Sequence, residues 1–166
     1  MNTTFNTMLS LLFAVMLLAT APPASAESVT VEWVDPDRFS DVAETASRTD
    51  RERVSILNHL EAFFVQQGSK HISEGRELHL RVTDVDLAGD FELWRSPQLH
   101  DVRFVRDIYP ARLQFTWELM DADGAVLREG TERLSSFDTY LQPTRVDREQ
   151  YPYIKEIYRR WLSRTF

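Results

Sequence analysis

The chain reads as an α+β domain of two layers, a mainly antiparallel sheet of about five strands with two amphipathic helices on one face. Three observations predict it. Leu78, Leu80 and Val82 alternate with His79 and Arg81, the period of a half-buried strand. Leu113, Phe115, Trp117 and Leu119 alternate in the same way with Gln114, Thr116 and Glu118. Two further stretches, Thr49 to Gly68 and a final one opened by Pro152, repeat apolar residues at helical spacing. The order is strand, helix, four mainly antiparallel strands, helix, which leaves the second sheet face wet or turned towards a partner.

Residues 1–26 have the layout of a secretory signal. Leu9 to Ala19 is a short apolar run, Pro22 and Pro23 break it, and Ala24-Ser25-Ala26 offers a small-x-small cleavage site. Its leading segment lacks Lys and Arg, which is atypical. An uncleaved anchor is the rival reading, but a span needs roughly 20 apolar residues and this run is shorter. Cleavage leaves residues 27–166 as one domain, with no later apolar run long enough to span a bilayer. The absence of cysteine removes both disulfide bracing and a lipid-bearing cysteine after the signal, so a lipoprotein is not expected. The formal net charge of −7 lies wholly after residue 26 and disfavours nucleic acid as a partner.

Along the remaining chain, Val29 to Val34 is a first strand stopped by Asp35-Pro36-Asp37, because proline fixes its own φ and bars the right-handed helical region to the residue before it. Ser40 or Asp41 then caps a short helical turn, a reading preferred to Asp41 as a ligand or catalytic acid. Thr49 and Glu52 have capping-box spacing, and Gly68 stands where a left-handed helix end belongs. Val54, Leu57, Leu60 and Phe64 form the apolar stripe of that helix, widened by Ile56 and Phe63. His59 lies on its flank with no metal-ligand neighbour at helical spacing. Phe91 to Leu99 is a connecting loop in which Trp94 is expected to pack on the core edge. Val102, Phe104 and Ile108 make a third strand. Asp121-Ala-Asp-Gly124 turns a hairpin between the Leu113 strand and Val126 to Leu134; calcium-loop spacing fails here at Ala125 and Val126. Phe137 to Tyr151 is irregular. In the final helix Ile154, Ile157, Tyr158, Trp161 and Leu162 make the apolar stripe, with Lys155, Arg159, Arg160 and Arg164 around it.

The segment that carries the sharpest chemical signal is Leu78 to Asp90. After Val82 the apolar parity slips at Thr83 and Asp84, as a bulge produces, and the run ends in Asp84, Asp86, Gly89 and Asp90. Carboxylates at this spacing on a bent strand end can gather a hard divalent cation such as calcium, so Asp84, Asp86 and Asp90 are the candidate metal ligands. The stronger rival is that Asp86 or Asp90 caps the turn through local hydrogen bonds.

The Pro36 to Asp41 segment, the Asp84-Val-Asp-Leu-Ala-Gly-Asp90 run, the strand after Pro110 with its Asp-x-Asp-Gly hairpin, and the Trp161 helix together resemble a family of exported proteobacterial proteins, domain of unknown function 3016. The resemblance implies a Gram-negative envelope setting and no assigned activity. The element order also resembles two-layer periplasmic accessory domains of transport and cell-wall assembly systems, a likeness of fold alone.

No G-x-S-x-G elbow, phosphate loop, dinucleotide fingerprint, H-E-x-x-H or cysteine nucleophile occurs, and His59, His71, His79 and His100 are scattered. The sequence therefore favours a non-enzymatic periplasmic binding or envelope accessory domain that contacts an envelope protein, a peptide or a glycan. A metal-dependent hydrolase using Asp84 to Asp90 is the alternative. Weak contact of the basic C-terminal helix with a membrane surface is a third reading, set against core packing of its aromatic stripe.

Overall fold

A computed structural model describes residues 28–136 and 149–166. The expected signal segment and most of the irregular Phe137 to Tyr151 stretch lie outside the described residues. The elements are β1 (Val29–Trp33), α1 (Asp50–Gly68), β2 (Arg76–Asp86), β3 (Asp90–Phe91), β4 (Arg103–Phe104), β5 (Arg112–Asp121), β6 (Val126–Ser135) and α2 (Pro152–Thr165), with short 3-10 turns at Pro36–Arg38 and Pro97–Leu99. The fold is α+β. The main sheet has four strands in the order β1-β2-β5-β6, and β3 pairs with β4 in a separate ribbon.

The expected sheet of five mainly antiparallel strands is corrected in two places. β1 runs parallel to β2, because α1 carries the chain back across the layer before β2 begins. The expected third strand does not join the sheet. β2 already has β1 on one side and β5 on the other, and the Val102, Val105 and Ile108 side chains are exposed, so no apolar face holds that segment against the layer. Only its Arg103–Phe104 portion is extended, and it pairs with β3.

Register explains the core. Val29, Leu78 and Leu119 stand in one row, Val82 and Phe115 in another, all on one face. Onto that face α1 places Ile56, Leu57, Leu60, Phe63 and Phe64, and α2 places Ile154, Ile157, Tyr158, Trp161 and Leu162, in a single cluster. Trp161 is its centre, edge-on to Phe115 at 4.8 Å between centroids and to Phe166 at 5.6 Å. The parity slip is a bulge: pairing with β5 shifts between Val82 and Asp84, which turns Val85 and Leu87 inward and Asp84 and Asp86 outward.

Several local readings change. Val54 is 54% exposed and lies outside the helical stripe. Gly68 is not a left-handed cap, since the next residue, Ser69, stays right-handed; a Cβ at Gly68 would stand 2.8 Å from Val29 Cγ2 and 3.0 Å from the Tyr158 hydroxyl, so close packing of α1 on β1 and α2 is what needs glycine there. Thr49 caps α1 by accepting from the Glu52 amide at 3.3 Å, while the Glu52 carboxylate reaches past Thr49 to the Glu44 and Thr45 amides. Trp94 is 70% exposed and does not cover the core edge. The Asp121 hairpin turns as expected, with Asp121 Oδ1 accepting from the amides of Asp123 and Ala125.

Candidate functional site

The bulge aims the end of β2 at the segment that follows β1. Asp41, expected as a helix cap, instead extends the sheet: its amide donates to Val85 O and its carbonyl accepts from the Leu87 amide, which sets it beside Asp86. On the other side of Asp86 stands Arg112 of β5. The row Asp41, Asp86, Arg112 lines a polar cleft of about 330 Å³, together with Ser40, Arg48, Asp90 and Tyr109.

Each carboxylate there has a distinct environment. Asp84 Oδ1 accepts from the Ser40 amide at 2.7 Å and Oδ2 from the Ser40 hydroxyl at 2.8 Å, so it ties the post-β1 segment to β2 and does not line the cleft. Asp86 Oδ2 accepts from Arg112 Nη1 at 2.7 Å. Burial raises the Asp86 pKa and outweighs the opposite pull of Arg112, with the charges of Asp41 and Asp84 adding to the rise. Asp90 Oδ1 accepts from the Phe91 amide at 2.7 Å, a local turn contact.

Asp41 is the residue that sequence reasoning misassigned. Its side chain is 9% exposed, and Oδ2 lies 2.8 Å from Arg103 Nη2. Arg103 is fixed in turn: it donates to Ala43 O at 2.6 Å and to Gly89 O at 2.8 Å and lies over the Phe91 ring. Gly89, at φ 89°, is required here, since a Cβ would meet Phe104 O at 2.9 Å. Asp41 Oδ1 is buried without a hydrogen-bond partner, and Arg48 Nη2 stands 3.9 Å away, beyond hydrogen-bond reach. Arg48 is held over it by a backbone at φ 48°, an uncommon conformation for a residue other than glycine.

Of the three predicted metal ligands, the structure brings Asp86 and Asp90 to one cleft and turns Asp84 to Ser40. Among the described residues, no three or more His, Cys, Asp or Glu side chains are grouped so as to hold a metal ion. Both Asp84 oxygens accept from Ser40, Asp86 Oδ2 accepts from Arg112, and Asp90 Oδ1 accepts from the Phe91 amide.

Two buried charges elsewhere carried little sequence signal. Glu92 is 1% exposed, between Arg95 and Arg106, the latter at 3.1 Å, and accepts from the Tyr109 hydroxyl at 3.4 Å. Nothing in its surroundings in the chain marks it. Lys155 is buried with Nζ 2.8 Å from His59 Nε2, and burial lowers the pKa of both groups. Lys155, expected around the apolar stripe, is instead buried within it, three residues before Tyr158 and seven before Leu162 on the same helix face. Tyr158 and Trp161 are core residues, while Arg159 pairs with Glu149 at 2.6 Å and Arg160 with Glu156 at 3.0 Å. Among the described residues no helix is long and apolar enough to cross a membrane.

Fold and cleft together define a two-layer α+β domain whose polar end-of-strand site stands apart from its apolar core. The family whose model matches residues 27–164 is described as protein of unknown function (DUF3016), and the chain belongs to it. No curated protein and no solved structure matches the chain.

Proposed function

We propose that the protein is a non-enzymatic binding domain of the bacterial cell envelope, exported to the periplasm by a cleaved segment at residues 1–26, and that it holds its ligand in the cleft at the end of β2. One observation carries this reading. Asp41, Asp86 and Asp90 meet Arg48 and Arg112 around a polar cleft of about 330 Å³, large enough for a small ligand or one unit of a chain. Arg48 and Arg112, half-exposed at 54% and 52%, add donors at the rim. An envelope protein, a peptide or a glycan supplies the complementary groups.

The test is thermal unfolding of wild type and of Arg112→Ala against neutral saccharides, charged and neutral tripeptides, and, after chelator treatment, calcium, magnesium and zinc. An organic ligand that binds only the folded state raises stability by about 2.7 kcal/mol at a hundredfold excess over Kd. A shift with an organic ligand that Arg112→Ala abolishes supports the reading. Metal-dependent turnover in a broad hydrolase screen, lost in Asp86→Asn, overturns it in favour of an enzyme.

A further inference from the structure

We infer that the free edge of β6 docks on the same edge of a second copy of this chain, the two strands pairing antiparallel about Thr131. The cleft takes no part in this contact. The main sheet ends in two edge strands, β1 and β6. β1 has five residues and stops at the Pro36 turn, a short edge of the kind that resists pairing. β6 has ten residues, holds no proline and keeps an unbroken register with β5 from Arg128 to Ser135. Among the described residues no strand lies on its far side.

The register fixes which backbone groups face outward. Ser136 stands opposite Ala111, and its amide donates to Ala111 O at 2.9 Å. Backbone groups of successive residues alternate in direction along a strand, so the N–H and C=O of Glu129, Thr131 and Arg133 point away from β5. Their side chains lie on the face that the helices leave open, opposite Glu118, Thr116 and Gln114. An edge with such groups is a template for another strand.

Charge selects the partner. Glu129 and Arg133 are exposed, and among the described residues neither is ion-paired within its own chain. Glu129 stands opposite Glu118 of β5, a like-charge pair. A second copy related by a two-fold axis at Thr131 sets Glu129 of each copy opposite Arg133 of the other, and Thr131 opposite Thr131. Cross-strand pairs of both kinds stabilise a sheet. The same three residues carry the outward backbone groups, so hydrogen bonding and charge agree on one register. On the helix-covered face the diagonal neighbours are Arg128 of one copy and Glu132 of the other, again opposite in sign. Centring the pairing on Gly130 would set Glu129 against Thr131 and would use Arg128 and Glu132, which already bond Thr165 O and Trp117 Nε1 in their own chain. The Thr131 register joins two four-stranded sheets into one, with all helices on one side. Contact confined to edge strands is small, so monomer and dimer exchange reversibly.

The experiment is sedimentation velocity of protein isolated from cells expressing residues 1–166. Concentrations from about 5 to about 500 µM span weak association, and about 0.05 M salt screens exposed charges less than physiological ionic strength does. We expect a reversible monomer–dimer equilibrium. Arg133→Glu and Glu129→Arg should each raise the dimer Kd about tenfold or more, because each turns two attractive pairs into repulsive ones. The double variant Glu129→Arg/Arg133→Glu should restore dimerisation, which a merely structural role of either residue would not allow. Thr131→Pro is the second line: the lost amide faces outward, so the ladder with β5 survives while pairing with a second copy is abolished. A monomer across the whole range, a dimer that the single reversals or Thr131→Pro leave unchanged, or a double variant that fails to recover would each overturn the inference.

Discussion

The two ends of β2 follow opposite chemical rules although one strand builds both. Before the bulge, Leu78, Leu80 and Val82 are buried in the apolar cluster that α1 and α2 share with the sheet. After it, Asp84 and Asp86 turn to the other face, where neighbouring side chains are charged and one carboxylate oxygen is left over. The first half shows what the domain needs in order to fold. The second gathers charged groups around Arg103, which pairs with Asp41 and donates to the Gly89 and Ala43 carbonyls.

Two substitutions share the largest expected effect, one for each half. Trp161→Ala should cost about 3–5 kcal/mol in urea unfolding, since it empties the centre of the helix-covered core. Arg103→Met should cost a similar 3–5 kcal/mol because it leaves Asp41 buried without its cation. The halves separate if Trp161→Ala leaves the chemical shifts of Arg48 and Arg112 in place while Arg103→Met moves them.

Gly68→Ala comes next. Helix propensity alone favours alanine by about 1 kcal/mol, but the added methyl would meet Val29 Cγ2 at 2.8 Å and the Tyr158 hydroxyl at 3.0 Å. Overpacking of that kind costs about 1–3 kcal/mol, so net destabilisation is expected, and a more stable variant would disprove the close approach of α1 to β1.

Protonation sharpens the comparison further. Burial, ahead of the opposing Arg112, raises the Asp86 pKa in the folded chain, so the folded state keeps a proton that the unfolded state has released. Stability contributed at Asp86 therefore falls as pH rises from the ordinary aspartate value through the raised folded one, and Asp86→Asn should gain on wild type across that window. His59, on the core side, has the reverse sign. Burial, assisted by the Lys155 charge, lowers its pKa below 6.5, so its contribution is lost as pH falls from 6.5 through the folded value. Urea unfolding of Asp86→Asn and His59→Gln against wild type over pH would show slopes of opposite sign; equal signs would contradict the two environments. The smallest effect is expected for Arg48→Ala, within about 0.5 kcal/mol, because this exposed side chain makes no hydrogen bond that the fold depends on.

Much of the fold was legible in the sequence because period and parity speak directly. The strict alternation from Leu113 to Leu119 is β5, and the slip after Val82 is the bulge that aims the cleft. The partnering of strands was not. Alternation does not distinguish parallel from antiparallel neighbours, and the short Val102 to Ile108 run looked like a strand because apolar residues there recur without being buried. Gly68 shows the same limit: a glycine at a helix end reads as a left-handed cap, whereas contact with Val29 and Tyr158 is a fact of packing. At the site, the Asp84 to Asp90 run pointed to the right end of the right strand. Asp41 and Arg103 stayed hidden, since they meet from distant parts of the chain and through no spacing a sequence displays.

The central claim is that the charges of the cleft serve a ligand and not the fold. It is tested most directly by measuring, on the Arg48→Ala/Arg112→Ala double variant, both unfolding free energy and the binding of whichever probe shifts the Asp41 amide of the wild type. The account predicts stability within about 1 kcal/mol of wild type and binding reduced below detection. A large loss of stability with binding intact would show that these arginines hold the end of β2 together, and would contradict the claim.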